Sequence, residues 1–201
     1  MKRYVIALAA VLAVMGCKQE STTITDTTTT ASTDTYASST GTTSTTSTGS
    51  TGGAASTLSE SDKEFVMKAA IGGMAEVAGG QTATQNASNA DVKAFGQRMV
   101  TDHSKANDEL KQLATTKGLA LPTAPDADHQ KKLDELSKKT GKAFDKAYMD
   151  DMVKDHEEDV AEFQKQSTSA QDPDLKSWAA KTLPTLQDHL KMAKATQKKV
   201  K

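Results

Sequence analysis

The sequence predicts an all-α fold arranged as an up-down-up-down four-helix bundle. After Thr57 the chain is rich in Ala, Lys, Glu, Leu, Met and Gln, which are good helix formers, and it has few β-branched residues. Apolar residues recur at the helical spacing i, i+3, i+4, i+7. The four helical segments are joined by short connections, so consecutive helices are expected to pack side by side in opposite directions.

The first element is predicted to be a lipoprotein signal peptide over residues 1–16. Lys2 and Arg3 precede an apolar run from Val5 to Met15. This run of about eleven residues is shorter than the roughly twenty that span a bilayer, and its basic start is typical of a secretory signal. We therefore expect export rather than a membrane-spanning anchor.

Residues 17–57 are predicted to be a lipidated cysteine followed by a disordered linker. Cys17 follows Gly16 at the end of the apolar run, which resembles a bacterial lipobox, although a free cysteine is the alternative. Residues 21–57 are mostly Ser and Thr and cannot build a core. Lys18 rather than Asp follows the cysteine, so we expect a lipid anchor in the outer membrane, facing the periplasm.

The folded domain is predicted over residues 58–201, beginning with two helices. Ser59 is predicted to be the N-cap of the first helix, which should run to about Asn86. The second should start at Ser88 or Asn89 and end at Gly118. Its apolar stripe consists of Val92, Phe95, Met99, Ala106, Leu110 and Leu113.

Two further helices complete the predicted bundle. The third is expected to begin between Asp126 and Asp128 and to run to about Ser167, with a bend at Gly141. The fourth is expected to start at Asp172-Pro173, with Asp as the N-cap and Pro at the first helical position.

Composition excludes several classes of function. The chain has 25 basic and 26 acidic side chains and no basic stripe, so a nucleic-acid partner is not expected. It has one cysteine, which excludes an intrachain disulfide framework, a cysteine-rich zinc site and a CxxC redox motif.

Three of the four histidines lie on the inner faces of the predicted helices. They are His103, His156 and His189, and Glu76 shares a face with Phe65 in the first helix. Counted from the helix ends at 1.5 Å per residue, these four side chains fall within about 12 Å of one another along the bundle axis. Three imidazoles and one carboxylate suit a transition metal such as Zn, Cu, Fe or Ni, and the sequence does not choose among them.

A metal-free interpretation of the same residues is also open. Buried neutral histidines that bond to a carboxylate can form a polar layer that fixes helix register or responds to pH. Asp102, Asp155 and Asp188 each precede one of the histidines and either serve a histidine on another helix or are solvated surface charges. Asp145 lies on the stripe of His156 and is either a carboxylate that supports a metal ligand or a structural partner for a tyrosine or a backbone group.

Several motifs together resemble a ferritin-like bacterial domain family of unknown function. They are Ala75-Glu76-Val77, the run from Arg98 to His103, the run from Gly141 to Tyr148, His156, and the run from Leu183 to His189. The resemblance covers about Ser61 to Ala195. It implies a ferritin-like four-helix bundle in an exported protein, often described in this family as an outer-membrane protein, and it implies no particular activity.

One departure from ferritin-like di-iron proteins affects the expected site. Those proteins use Glu-x-x-His pairs, whereas Val100, Val153 and Leu186 stand three residues before the histidines here. We therefore expect a mononuclear, histidine-rich site rather than a dinuclear one.

Two functions follow as hypotheses. In the first, a lipid-anchored envelope protein binds a single transition metal through His103, His156, His189 and Glu76. In the second, the domain is a non-catalytic structural or interaction module whose His/Glu layer is metal-free and pH-sensitive. The sequence offers no independent acid, base or oxyanion group, so no catalytic residue is predicted and an enzymatic activity is left open.

Overall fold

The computed structural model describes residues 58–201, and this part of the chain is all-α. It contains α1 (Glu60–Asn86), α2 (Ala90–Thr116), α3 (Ala127–Ser137), α4 (Gly141–Ser169) and α5 (Pro173–Val200), with no strand. The all-α prediction is confirmed for these residues. None of these helices is long and apolar enough to cross a membrane. The predicted signal peptide, the lipidation of Cys17 and the Ser/Thr linker lie outside the described residues and stay predictions.

The long helices α1, α2 and α5 begin at the predicted caps. At each of these starts, a side-chain oxygen of the cap residue accepts hydrogen bonding from the backbone N–H of the first helical turn. The cap residues are Ser59, Asn89 and Asp172. Pro173 follows Asp172 as the first residue of α5. After α2, Gly118 takes a left-handed conformation with φ of +69°, which ends the helix at little steric cost.

The expectation of one continuous third helix is wrong, because two helices occupy that segment. α3 ends at Ser137, and α4 begins at Gly141 with φ of +61°. The Asn86 side-chain amide donates hydrogen bonds to the carbonyls of Ser137 and Lys139, at 3.1 and 2.9 Å. These bonds satisfy carbonyls that a continuing helix would have used, so a contact from α1 holds the break in place.

The helices pack in two principal pairs, α1 with α2 and α4 with α5, and α2 also contacts α5. Two ion pairs join the start of one of the helices α2 and α5 to the end of the other. Asp91 at the start of α2 pairs with Lys199 at the end of α5, and Lys117 beyond α2 pairs with Asp172 at the start of α5, both at 2.7 Å. α2 and α5 therefore run in opposite directions.

α1 and α2 approach each other very closely at a pair of glycines. A Cβ atom on Gly80 would lie 2.6 Å from the carbonyl oxygen of Gly96, and a Cβ on Gly96 would lie 2.7 Å from the Cβ of Ala83. Each of the two positions therefore requires glycine. This crossing fixes the register of α1 against α2 one turn from Glu76.

Two apolar clusters form the core, and the polar residues separate them. One cluster contains Phe65, Leu110, Phe163, Leu175 and Trp178, and the other contains Val92, Phe95, Phe144, Tyr148 and Met149. Along each long helix, one of the residues Glu76, His103, His156 and His189 stands between the members of the two clusters. The core is thus two apolar blocks with a polar layer between them.

Asp145 has a structural position at the α1–α2 turn. Its carboxylate accepts hydrogen bonds from the backbone N–H groups of Ser88 and Asn89, each at 3.0 Å, and from the Ser88 hydroxyl. No hydrogen bond joins Asp145 to a histidine within residues 58–201. These contacts support the structural alternative for Asp145, in which it bonds to backbone groups.

Candidate metal centre

The structure brings together the four residues that the helical spacing placed in one layer. Glu76 comes from α1, His103 from α2, His156 from α4 and His189 from α5, and each is at least nine-tenths buried. One ring nitrogen of each histidine lies within 4.8 Å of the other two. We call these four residues the histidine centre.

The Glu76 carboxylate contacts two of the three histidines. Its Oε2 lies 2.8 Å from Nδ1 of His103, and its Oε1 lies 3.5 Å from Nε2 of His156. When Glu76 is ionised, His103 donates its Nδ1 proton to Oε2, which leaves a lone pair on Nε2 in the neutral ring.

His156 is oriented by the backbone of its own helix. Its Nδ1 lies 3.0 Å from the carbonyl oxygen of Met152. Because a carbonyl oxygen can only accept, the proton of the neutral ring must be on Nδ1. The other nitrogen, Nε2, therefore presents a lone pair to the centre.

His189 is oriented by a carboxylate from another helix. Its Nε2 lies 2.9 Å from Oδ2 of Asp102. Burial opposes ionisation of Asp102, but the hydrogen bonds from His189 and Arg98 outweigh it and hold the pKa of that carboxyl below its usual value. The ionised carboxylate only accepts, so His189 carries its proton on Nε2 and a lone pair on Nδ1. Asp102 thus serves a histidine on another helix, which was one of the two predicted roles for the aspartates that precede a histidine.

These orientations leave several lone pairs facing one another without a proton between them. Nε2 of His156 lies 3.3 Å from Nδ1 of His189, and both are acceptors in the neutral rings. Within residues 58–201, the buried Oε1 of Glu76 and Nε2 of His103 have no hydrogen-bond partner. Facing lone pairs repel, so this arrangement suits a cation between them.

Burial sets the protonation states that a cation requires. The loss of hydration lowers the pKa of His103, His156 and His189 from 6.5 to about 4 each. The three imidazoles are therefore neutral at pH 7, which is the form that binds a metal. Burial raises the pKa of Glu76 to about 7 even though the neighbouring His156 opposes the shift.

Sequence reasoning missed one carboxylate beside the centre, Asp159. It stands three residues after His156 on α4, and burial together with the adjacent Glu76 carboxylate raises its pKa well above the usual range. The Glu-x-x-His pattern of di-iron proteins places the carboxylate before the histidine and so does not include this position. The reverse spacing, His156-x-x-Asp159, places a carboxylate one turn further along the same helix and would have identified it.

Comparison with known proteins identifies one family. Residues 47–196 match the family described as a domain of unknown function, DUF4142. No curated protein and no solved structure matches the chain. The matched segment contains all four residues of the histidine centre.

Proposed function

The chain belongs to the family of the domain of unknown function DUF4142, and we propose that it binds a single transition-metal ion through its histidine centre. The main observation behind this proposal is that Nε2 of His156 lies 3.3 Å from Nδ1 of His189. A tetrahedral metal with ordinary metal–nitrogen bonds holds two ligand nitrogens about 3.4 Å apart. Both nitrogens carry lone pairs, so the pair has the spacing and the chemistry of two ligands of one ion.

The surrounding contacts support the same conclusion. His156 is fixed by the Met152 carbonyl and His189 by the Asp102 carboxylate, and such outer hydrogen bonds are what orient histidine ligands in metal sites. Glu76 Oε1, 3.5 Å from Nε2 of His156, offers an oxygen ligand beside them. His103 supplies the third imidazole. This donor set suits Zn, Cu, Fe or Ni.

We further propose that α1, α2, α4 and α5 form a ferritin-like, up-down-up-down four-helix bundle, with α3 as an additional helix. The opposite directions of α2 and α5 and the three-residue turn between α1 and α2 support this arrangement. So does the resemblance noted in the sequence. The centre departs from a di-iron site because imidazoles outnumber carboxylates in it.

The proposed location is the bacterial cell envelope. The basic and apolar start of the chain and the Gly16-Cys17 pair support export and lipidation of Cys17, with the Ser/Thr-rich segment as a spacer. The proposed role is to bind or sense a metal on the periplasmic face of the outer membrane. The proposal is limited to metal binding and includes no catalytic reaction.

Metal titration of the stripped protein tests the proposal. Purified protein is treated with chelator, then titrated with Co²⁺, followed by competition with Zn²⁺, while absorbance and thermal melting are recorded. We expect one ion per chain, and a stabilisation of about 2.7 kcal/mol when the free ion is at one hundred times its dissociation constant.

Two alanine variants separate the metal site from the metal-free alternative. His156→Ala removes a ligand, whereas His129→Ala removes a partly exposed histidine outside the histidine centre. We expect the first variant to lose the bound ion and the second to keep it. If Zn, Cu, Ni, Fe and Co all fail to bind and to shift the melting temperature, the metal proposal is refuted. The centre is then a structural, pH-sensitive layer, and His156→Ala changes only stability.

A further inference from the structure

A second feature lies next to the histidine centre and shares one residue with it. A pocket of about 220 Å³ is bounded by α1, α3 and α4, and Glu76 lies in its lining. The α1 side consists otherwise of the small residues Gly72, Ala75 and Gly79. A Cβ atom added to Gly72 would meet no atom within 4 Å, so this side of the pocket is open. We call this feature the acidic pocket.

Carboxyl groups dominate the lining. Besides Glu76, the carboxylates are those of Asp151, Asp155, Glu158 and Asp159, all on α4. On the α3 side, Lys132 lies 3.6 Å from Asp155 and offsets one of them, and Nδ1 of His129 is bonded to Asp126 at 2.7 Å. In residues 58–201, neither Asp151 nor Asp159 forms an ion pair. A pocket with this excess of carboxyl groups favours a cation over an anion.

Two buried polar atoms in the lining are without partners. The Tyr148 side chain is completely buried and Glu76 is nearly so, and both line the pocket. Among the described residues, neither the Tyr148 hydroxyl nor Oε1 of Glu76 has a hydrogen-bond partner. A buried polar group left unpaired is destabilising, so the lining is suited to a ligand that would satisfy these atoms.

We propose that the acidic pocket binds a hydrated divalent cation and passes it to the histidine centre, a step that rests on the proposed function. Six waters occupy about 180 Å³ at their volume in the liquid, which the pocket accommodates. Carboxylate and hydroxyl oxygens suit a hard cation that keeps part of its water shell. Glu76 lines the pocket and also contacts His103 and His156, so it connects the oxygen-lined pocket to the nitrogen ligands.

The first test isolates the pocket by disabling the histidine centre. In the His156→Ala protein, binding of Mn²⁺ is followed by the loss of the free-ion signal in electron paramagnetic resonance. We expect one Mn²⁺ per chain, and its loss when Asp151→Asn and Asp155→Asn are added. Absence of Mn²⁺ binding, or binding that survives these substitutions, overturns the cation site.

The second test measures delivery to the centre in the otherwise unaltered protein. Stopped-flow absorbance follows Co²⁺ uptake by the Asp151→Asn/Asp155→Asn variant and by a control with the same charge change at two exposed positions, Asp108→Asn/Asp188→Asn. We expect the pocket variant to take up Co²⁺ about tenfold more slowly than the control, with the same final stoichiometry. Equal rates overturn the delivery step.

A variant that does not change charge completes the design. Gly72→Leu places an apolar side chain in the open part of the pocket and should also slow Co²⁺ uptake, and uptake at the normal rate contradicts delivery through this pocket. If the unaltered protein binds no Co²⁺, the proposed function fails and delivery fails with it. The Mn²⁺ measurement still decides by itself whether the pocket is a cation site.

Discussion

Replacement of Asp102 by Asn tests how the histidine centre is held. Asp102 lies outside the set of proposed ligands, but its carboxylate accepts the Nε2 proton of His189 at 2.9 Å. That bond keeps the proton on Nε2 and the lone pair on Nδ1, which faces His156. Asn has nearly the same size, but it has no negative charge and presents an N–H₂ group that can turn toward the ring. The substitution therefore weakens the preference for the metal-binding tautomer.

The size of the effect follows from the role of such outer hydrogen bonds. Loss of a carboxylate that orients a histidine ligand typically lowers metal affinity 10- to 100-fold, which corresponds to about 1.4–2.7 kcal/mol. Asp102 is only about one-fifth exposed, so solvent screens the interaction weakly. We expect the Asp102→Asn protein to bind one ion per chain with an affinity reduced within this range.

Asp188→Asn is the matched control for this prediction. Asp188 also precedes a histidine directly, but its side chain is exposed, and the change in net charge is identical. Competition for Zn²⁺ with a chromophoric chelator measures both affinities. If Asp102→Asn binds as tightly as the unaltered protein, or if Asp188→Asn weakens binding equally, then Asp102 does not orient His189 in the way we infer.

Three further predictions concern stability. In chelator, the free energy of unfolding should fall by about 1 kcal/mol per pH unit as pH drops from about 6 towards 4.5, as measured by urea unfolding. The three buried histidines, whose pKa values are lowered, resist protons that the unfolded chain binds. Glu76 and Asp159, whose pKa values are raised, together offset two of the three. Stability that is constant or rises on acidification over this range contradicts the prediction. Gly80→Ala should destabilise the protein by about 1–3 kcal/mol because its Cβ would lie 2.6 Å from a backbone oxygen. Gly72→Ala, with no atom within 4 Å, should stabilise it by about 0.5–1 kcal/mol, and melting shifts of the same sign would refute the comparison. Asp145→Ala should cost about 1–3 kcal/mol in urea unfolding and leave the metal stoichiometry unchanged, so loss of the ion would contradict its structural role.

The layer of buried polar residues was predictable because it depends only on helix geometry. The 3.6-residue period places His103, His156 and His189 on inner faces, and the rise per residue places them at one height. Both quantities are read from the sequence without knowing how the helices cross. The same reasoning found the caps at Ser59, Asn89 or Ser88, and Asp172.

The break between α3 and α4 was not predictable from local sequence. Lys138, Lys139 and Thr140 are compatible with a helix, so Gly141 indicated only a bend. The contact that holds the end of α3 comes from Asn86, more than fifty residues earlier in the chain. A tertiary hydrogen bond of this kind leaves no periodic pattern in the sequence.

The hydrogen bonds that orient the ligands were only partly predictable. The choice between a surface role and an orienting role for Asp102 depends on the rotation of α2 against α5, which spacing along one helix does not give. The tautomer of His156 depends on its bond to the Met152 carbonyl, and this follows from a side-chain rotamer. These features required the packed structure.

X-ray absorption spectroscopy of the Zn-loaded protein tests the central claim most directly, because it counts the atoms bound to the ion. The histidine centre predicts that the ion is bound by three imidazole nitrogens at about 2.0–2.1 Å and one carboxylate oxygen. If the His156→Ala protein retains an ion, that ion should be bound by one imidazole fewer. A shell of oxygen atoms without imidazole would contradict binding at His103, His156 and His189.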